Sequence, residues 1–256
     1  MFYELEDTSK AAALFEGWNE TIIWSCLEQV MGHVFVDDSD KPKSAMAMLG
    51  DFCFFAGEPN RAFVEFKPQC CKQGFMIMVP QTRAWGGLIE LVYPKKLTKK
   101  TRYAIKKEPA VFDTKKLQRA IEDAPCNVTL RMIDKELFDF VKGTSWTRDW
   151  TSQYDSFEQY EALGALGVVL MKDGKVVSGA SAYSVYENGI EIEIDTKEEY
   201  RQNGYAYLCA SKLILECLKR SKYPSWDAAN LHSVALAEKL GYHFDHEYTV
   251  YEIVGY

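Results

Sequence analysis

No long hydrophobic run interrupts this chain of 256 residues, and apolar stretches such as Leu166 to Met171 fall far short of the about 20 residues a bilayer crossing needs. A basic leader is missing too: the chain starts Met1-Phe2-Tyr3-Glu4-Leu5-Glu6-Asp7, acidic where a secretory signal would be positive. The expectation is a cytoplasmic protein with no membrane partner. Paired-cysteine spacing is absent, since the seven cysteines (Cys26, Cys53, Cys70, Cys71, Cys126, Cys209, Cys217) are odd in number and include no CxxC, which predicts free thiols among apolar neighbours. The four histidines, His33, His232, His243 and His246, have no partner cysteines and no HExxH helix, so no metal is expected. Positive charge is scarce: 30 Lys and Arg against 37 Asp and Glu give a net charge of -7, the wrong field for neutralising nucleic-acid phosphates.

What is present is an ordinary globular composition, 47% hydrophobic and 26% charged, long enough for two cores. From residue 128 the pattern predicts a strand (Val128 to Ile133), a helix (Lys135 to Lys142), a Trp-rich loop (Ser145 to Trp150) and a second helix (Phe157 to Leu163). Three strands follow, Gly167 to Met171, Val176 to Tyr186 and Ile190 to Thr196. They are joined by Asp173-Gly174 and Asn188-Gly189, whose residues tolerate the positive backbone angles of tight hairpins. The third strand alternates, with Ile190, Ile192 and Ile194 assigned to the core and Glu191, Glu193 and Asp195 to a polar face. An amphipathic helix runs from Tyr205 to Arg220, with Ser211, Lys212, Glu216 and Lys219 off its apolar stripe. A short strand at Ser225 to Ala228, a helix at Ser233 to Leu240 stopped by Gly241, and one or two last strands from Tyr242 to Ile253 complete the half.

The first half runs through a similar order. Strands are expected at Gly32 to Val36, Ser44 to Met48, Phe52 to Ala56, Phe75 to Val79 and Arg102 to Lys106, with helices at Asn60 to Phe66, Ala84 to Val92 and Lys115 to Ile121. Two readings stand side by side, a duplicated fold and an unrelated α+β domain. Either way the junction is expected near Asp123-Ala124-Pro125, giving domains 1–124 and 125–256.

The segment Asp195-Thr196-Lys197-Glu198-Glu199-Tyr200-Arg201-Gln202-Asn203-Gly204-Tyr205-Ala206 ends a strand, makes a short polar loop and opens a helix. Backbone N–H groups at a helix's positive end suit a pyrophosphate; Gly204 lets phosphate oxygens approach, and Ala206 keeps the space uncrowded. It is not a Walker loop, because no Gly-Lys-Ser/Thr follows, and one glycine is too few for a dinucleotide fingerprint.

Arg201, Gly204 and Ala206 resemble the Gln/Arg-x-x-Gly-x-Gly/Ala loop of the GNAT superfamily of acyl-coenzyme A-dependent N-acyltransferases. About 25 residues on, Asn230, Ser233, Leu236, Gly241 and Tyr242 resemble its Asn-x-x-Ala-x-x-Leu-Tyr-x-x-x-Gly-Phe pattern; two motifs in order make the likeness specific. The resemblance implies an α+β protein with a C-terminal GNAT fold, a mixed, mostly antiparallel twisted sheet flanked by helices. Before it stands an N-terminal α+β domain, a degenerate GNAT-like repeat on the duplicated reading.

The resemblance also implies the roles. The backbone of Ile194, Asp195 and Thr196 would pair with pantetheine amides of acetyl-CoA. The N–H groups of Arg201, Gln202, Asn203, Gly204, Tyr205 and Ala206 would hold the pyrophosphate, with Asn230 and Ser233 beside the pantetheine arm. The acceptor is a small amine or amino-acid-like molecule that attacks directly in a ternary complex. It must be neutral to attack, so a base is needed, and Glu193 on the polar strand face with Glu191 is the candidate. The other reading makes both ordinary exposed carboxylates. In the Trp-rich loop, Arg148 would clamp an acceptor carboxylate and Trp146 wall the pocket, or the tryptophan is a packing anchor. Lys219, Arg220 and Lys222 would reach an adenosine phosphate, or answer the helix dipole.

One position departs from the family: Ala237 stands where many members carry a tyrosine that protonates the leaving thiolate. A thiolate of pKa about 8.5 leaves without much help, so losing that acid need not abolish catalysis. The alternative is a coenzyme A-binding regulatory module without turnover. A third reading, transfer from aminoacyl-tRNA as in some tandem GNAT-like proteins, is disfavoured by the intact loop and the acidic charge.

Overall fold

The structure, a computed structural model, describes residues 1–256 and divides into two compact units, Met1–Arg102 with Glu247–Tyr256, and Tyr103–His246. The sequence reading puts one junction at 123–125. The helix before that point, α5 (Thr114–Glu122), is instead built into the second unit, because Leu117 is fully buried and the helix packs on the long helix of that unit. The last ten residues belong with the first unit.

The first unit contains β1 (Tyr3–Glu4), α1 (Ser9–Ala12), α2 (Thr21–Leu27), β2 (His33–Val36), β3 (Ser44–Leu49), β4 (Phe52–Gly57), α3 (Arg61–Glu65), β5 (Phe75–Pro80) and α4 (Arg83–Val92). β1 through β4 form an antiparallel meander and β5 joins β4 in parallel, from Phe52 opposite Ile77 to Phe55 opposite Pro80. Gln81 N–H continues the ladder to the Phe55 carbonyl at 3.0 Å, so β4 and β5 are zipped along their length. One face buries Phe35, Met46, Phe55, Phe63, Met76 and Trp85, with the Trp85 ring stacked on Phe55 at 5.1 Å. Burying such aromatics contributes on the order of 2–3 kcal/mol each, which makes this unit a core in its own right.

β6 (Leu97–Ile105) leads into the second unit, with α5, β7 (Val128–Met132), α6 (Lys135–Gly143), α7 (Phe157–Ala162), β8 (Gly167–Lys172), β9 (Lys175–Tyr186), β10 (Gly189–Thr196), α8 (Tyr205–Lys219), β11 (Tyr223–Ser225), β12 (Asp227–Ala228) and α9 (Leu231–Leu240); β13 (Phe244–Val254) returns the chain to the first unit, with Tyr251 opposite Met78 of β5. The sheet of the second unit runs β11-β10-β9-β8-β7, antiparallel except for the parallel β10–β11 pair. The β8–β9 hairpin turns through Asp173 (φ 49) and Gly174 (φ 76), the two positive angles that the Asp-Gly pair implies. Side-chain caps start the helices: Asp134 accepts from Leu137 N–H at 3.0 Å, Ser156 from Gln159 N–H at 3.2 Å and Asn230 from Ser233 N–H at 3.0 Å.

Two sequence expectations do not hold. The single strand at Ser225 to Ala228 is two strands with Trp226 between them. The polar residues of α8 are only partly solvated: Ser211 and Glu216 are buried and Lys212 is half-buried in a helix packed by both β9 and α5, while Lys219 is exposed.

Both units share an order, an antiparallel meander followed by a helix and a parallel strand. They differ where that helix stands, five residues in α3 against fifteen in α8.

Candidate active site

β10 and β11 part company early. Tyr223, Pro224 and Ser225 pair in parallel with Gly189, Ile190 and Glu191; then Trp226 turns inward and Asp227–Ala228 pair with Ala104 and Tyr103 of β6 instead. Trp226 fixes that departure: it is 2% exposed and donates its indole N–H to Ser233 Oγ at 3.0 Å. β10 runs on to Thr196 with only β9 beside it, so one edge of Ile192 to Thr196 borders a gap.

The directions of the peptide groups along that edge follow from the ladder. Lys197 N–H points to the Val177 carbonyl of β9 at 3.0 Å. Thr196 points the other way: its N–H donates to Asp195 Oδ1 at 2.7 Å, and its carbonyl accepts Arg201 Nε at 3.1 Å. By the two-residue period of a strand, the N–H and C=O of Ile194 also aim into the gap. The Thr196 groups are thus already satisfied by Asp195 and Arg201, which also face each other at 3.5 Å.

At the mouth of the gap α8 begins. Gln202 (φ 63) and Gly204 (φ 77) both take the left-handed conformation, and Asn203 fastens the loop by donating to the carbonyls of Tyr200 and Arg201 at 3.0 Å each. Gly204 is the N-cap, and Leu208 N–H to the Gly204 carbonyl is the first helical bond; the amides before it have no acceptor within the helix. Ile194, Asp195 and Thr196, Arg201, Gln202, Gly204, Tyr205 and Ala206, and Asn230 and Ser233 line a single cleft of about 650 Å³. Of the eleven residues expected there, only Asn203 does not line it. It acts on the loop's own carbonyls instead.

Tyr207, His232 and Lys239 also line the cleft. Sequence reasoning misses them, although a signal exists: His232 and Lys239 lie four before and three after Leu236, on one helical face with it.

The acidic residues of β10 face elsewhere. Glu193 stands opposite Ser181 and Asp195 opposite Gly179, and those β9 residues meet Tyr160 and Trp150: Ser181 Oγ lies 2.9 Å from the Tyr160 hydroxyl, and a Cβ on Gly179 would come within 2.5 Å of the Trp150 ring. Glu191, opposite Ser184 and Ser225, shares that face. The opposite face is covered by α8, where Ser178 Oγ and Thr196 Oγ1 meet at 2.7 Å and burial pushes the Cys209 thiol up to about 12. Glu191 is buried, not solvated as an open polar face would have it, while Glu193 is half-buried and Ile194 is only half-buried on the α8 side. Trp146 sits edge-on to Trp150 at 5.3 Å and Arg148 is exposed at the start of a turn, Arg148–Trp150, that packs on β9 and β10. Trp146, Arg148, Glu191 and Glu193 therefore gather on the side of the sheet under the Trp-rich loop, and none of them lines the cleft. Ala237 is fully buried, so no hydroxyl reaches the cleft from that position.

Comparison with known proteins accords with this arrangement. The family model described as GNAT acetyltransferase matches residues 12–251, reaching well into the first unit. The uncharacterized N-acetyltransferase YdfB of Bacillus subtilis (strain 168) is 29% identical over 242 residues, covering 90% of this chain and 89% of that protein. The crystal structure of a GCN5-related N-acetyltransferase-like protein from Streptococcus suis 89/1591 superimposes with a TM-score of 0.90 at 46% identity, over 97% of this chain and 98% of that one. A tandem GNAT protein from the clavulanic acid biosynthesis pathway shares the fold alone, with a TM-score of 0.55 at 10% identity over 100% of this chain and 98% of that one. The repeated order of elements is thus a tandem GNAT-like arrangement, and the chain belongs to the GNAT acetyltransferase family and is an acyltransferase.

Proposed function

We propose that the cleft binds acetyl-CoA and that the protein transfers the acetyl group to a small amine or amino-acid-like acceptor by direct attack in a ternary complex. The observation that carries the reading is the meeting, in one cleft, of the open β10 edge with the α8 N-terminus. The fit is chemical on both counts: the Ile194 peptide groups aimed into the gap match a pantetheine amide, and helix-terminal N–H groups match a pyrophosphate. Ala206 and Gly204 leave that approach unobstructed, since nothing lies within 4 Å of a Cβ placed on Gly204.

The bound donor supplies an activated thioester. Ile194 would orient the pantetheine arm through its peptide groups, Asn230 and Ser233 would flank it, and the amides of Gly204, Tyr205 and Ala206 would hold the pyrophosphate. Glu193 would take the proton from the acceptor ammonium, directly or through a water, because only the neutral amine attacks. A backbone N–H of β10 would stabilise the oxyanion. Arg148 and Trp146 would bind the acceptor's carboxylate and its apolar part. Action in the cytoplasm on a soluble acceptor, with neither nucleic acid nor membrane as partner, belongs to the same reading.

Ala237, buried and without a hydroxyl, favours one second reading, a donor-binding module with little turnover. Calorimetric titration with acetyl-CoA, followed by thiol release across a panel of amines, separates the two. Micromolar binding with release supports transfer, binding without release supports the module, and absence of binding overturns both.

A further inference from the structure

Two of the three basic residues that the sequence offers for an adenosine phosphate are committed elsewhere. Lys219 Nζ and Arg220 Nη1 reach the Glu216 carboxylate at 3.0 and 2.5 Å. They also lie at the far end of α8, about 20 Å from Gly204 at 1.5 Å rise per residue. Arg201, at the mouth of the cleft, is held by the Thr196 carbonyl and Asp195.

Lys239 is different. It stands in the last turn of α9, lines the same cleft as Gly204 and Ala206, and has no carboxylate partner. Its ammonium is held over the face of Tyr207, 4.6 Å from the ring centroid, and Tyr207 lines the cleft one turn into α8. A cation on an aromatic face is positioned but not neutralised, so it keeps its full charge for an anion.

On the reading that this cleft takes the acyl donor, we propose that Lys239, poised over Tyr207, is the subsite for the 3′-phosphate of the donor's adenosine, and that it makes the protein prefer coenzyme A over dephospho-coenzyme A. The two phosphate groups of the ligand call for different partners. A pyrophosphate diester is met by fixed, uncharged amides at a helix N-terminus. A phosphomonoester carries about -1.5 to -2 charge at pH 7 and calls for a cation on a flexible stem, which a lysine supplies. The cleft has both, on adjoining turns of α8 and α9.

The test is calorimetric titration of the full chain with coenzyme A and with 3′-dephospho-coenzyme A, for the wild type, Lys239→Met and Lys239→Arg. Inorganic phosphate serves as a further ligand. Lys239 is exposed, so the variants keep the fold, which circular dichroism verifies. The wild type is expected to bind coenzyme A at least about fivefold more tightly than the dephospho form, the scale of an exposed ion pair. Lys239→Met should erase that preference by weakening coenzyme A alone, Lys239→Arg should restore most of it, and inorganic phosphate should not compete. Equal affinity of the wild type for both ligands, or equal weakening of both by Lys239→Met, overturns the subsite while leaving the donor cleft standing. Binding of neither ligand by the wild type overturns the cleft itself and the subsite with it.

Discussion

Arg201 donates its Nε–H to the carbonyl of Thr196 at 3.1 Å, tying the first residue of the loop before α8 to the last residue of β10. That one bond holds the open strand edge and the helix N-terminus in a fixed relation. It also explains an arginine in this place without any direct contact to phosphate. Arg201→Gln should weaken acetyl-CoA binding about tenfold, read by calorimetry. The unfolding free energy should fall by less than about 1 kcal/mol in urea melts, because the pair with Asp195 is half exposed.

Gly204 tests the loop's conformation apart from its bulk. With φ 77 and open space around it, Gly204→Ala should cost about 1 kcal/mol through backbone strain alone. Gly204→Asn should cost less, since asparagine tolerates the left-handed region. Thermal unfolding decides it, and equal losses for the two variants would contradict a conformational role.

Glu193→Gln keeps the size of the side chain and removes its capacity to accept a proton. With an amine that supports turnover, kcat should fall about 10²-fold or more, and the acidic limb of the pH–rate profile should vanish while acetyl-CoA affinity stays. An unchanged rate would return Glu193 to the ordinary strand carboxylates.

Gly179 meets the Trp150 ring, so Gly179→Ala should destabilise by about 1–3 kcal/mol through overpacking. Adding Trp150→Leu should recover part of the loss in urea melts; simple additivity would mean that the two positions do not touch.

Glu216 links stability to acid. The Arg220 guanidinium first, then Lys212 and Lys219, hold its carboxyl down to about 2. Its folded pKa lies below the unfolded value, so its contribution is fully present above about pH 4.5 and is lost as the pH falls toward 2. The urea midpoint of Glu216→Gln should therefore lie below that of the wild type at pH 7, and the two should converge between pH 4.5 and 2. Parallel curves over that window would contradict the assignment.

What was legible in the sequence was local. Asp173-Gly174 specified its hairpin through two positive backbone angles, and the spacing from Arg201 to Ala206 marked a helix opening on a left-handed glycine. What was not legible depended on partners far along the chain. Nothing within Ser225 to Ala228 says that its first residue pairs with β10 and its last with β6, yet that divergence makes the gap. Glu216 reads as a solvated helix residue, yet it is buried in a helix that α5, about a hundred residues earlier in the chain, packs against. Tyr207 and Lys239 meet only because α8 and α9 pack together, and neither has a neighbour in sequence that predicts it.

The central claim is that the Ile194 edge and the first amides of α8 hold one ligand. Amide hydrogen exchange with and without coenzyme A measures it directly. The predicted result is slowed exchange at Ile194 and at Gly204 to Tyr207, with the already satisfied Thr196 amide little changed. Unaltered exchange at Ile194 and Gly204 to Tyr207 under saturating ligand, or protection confined to other segments, would contradict the account.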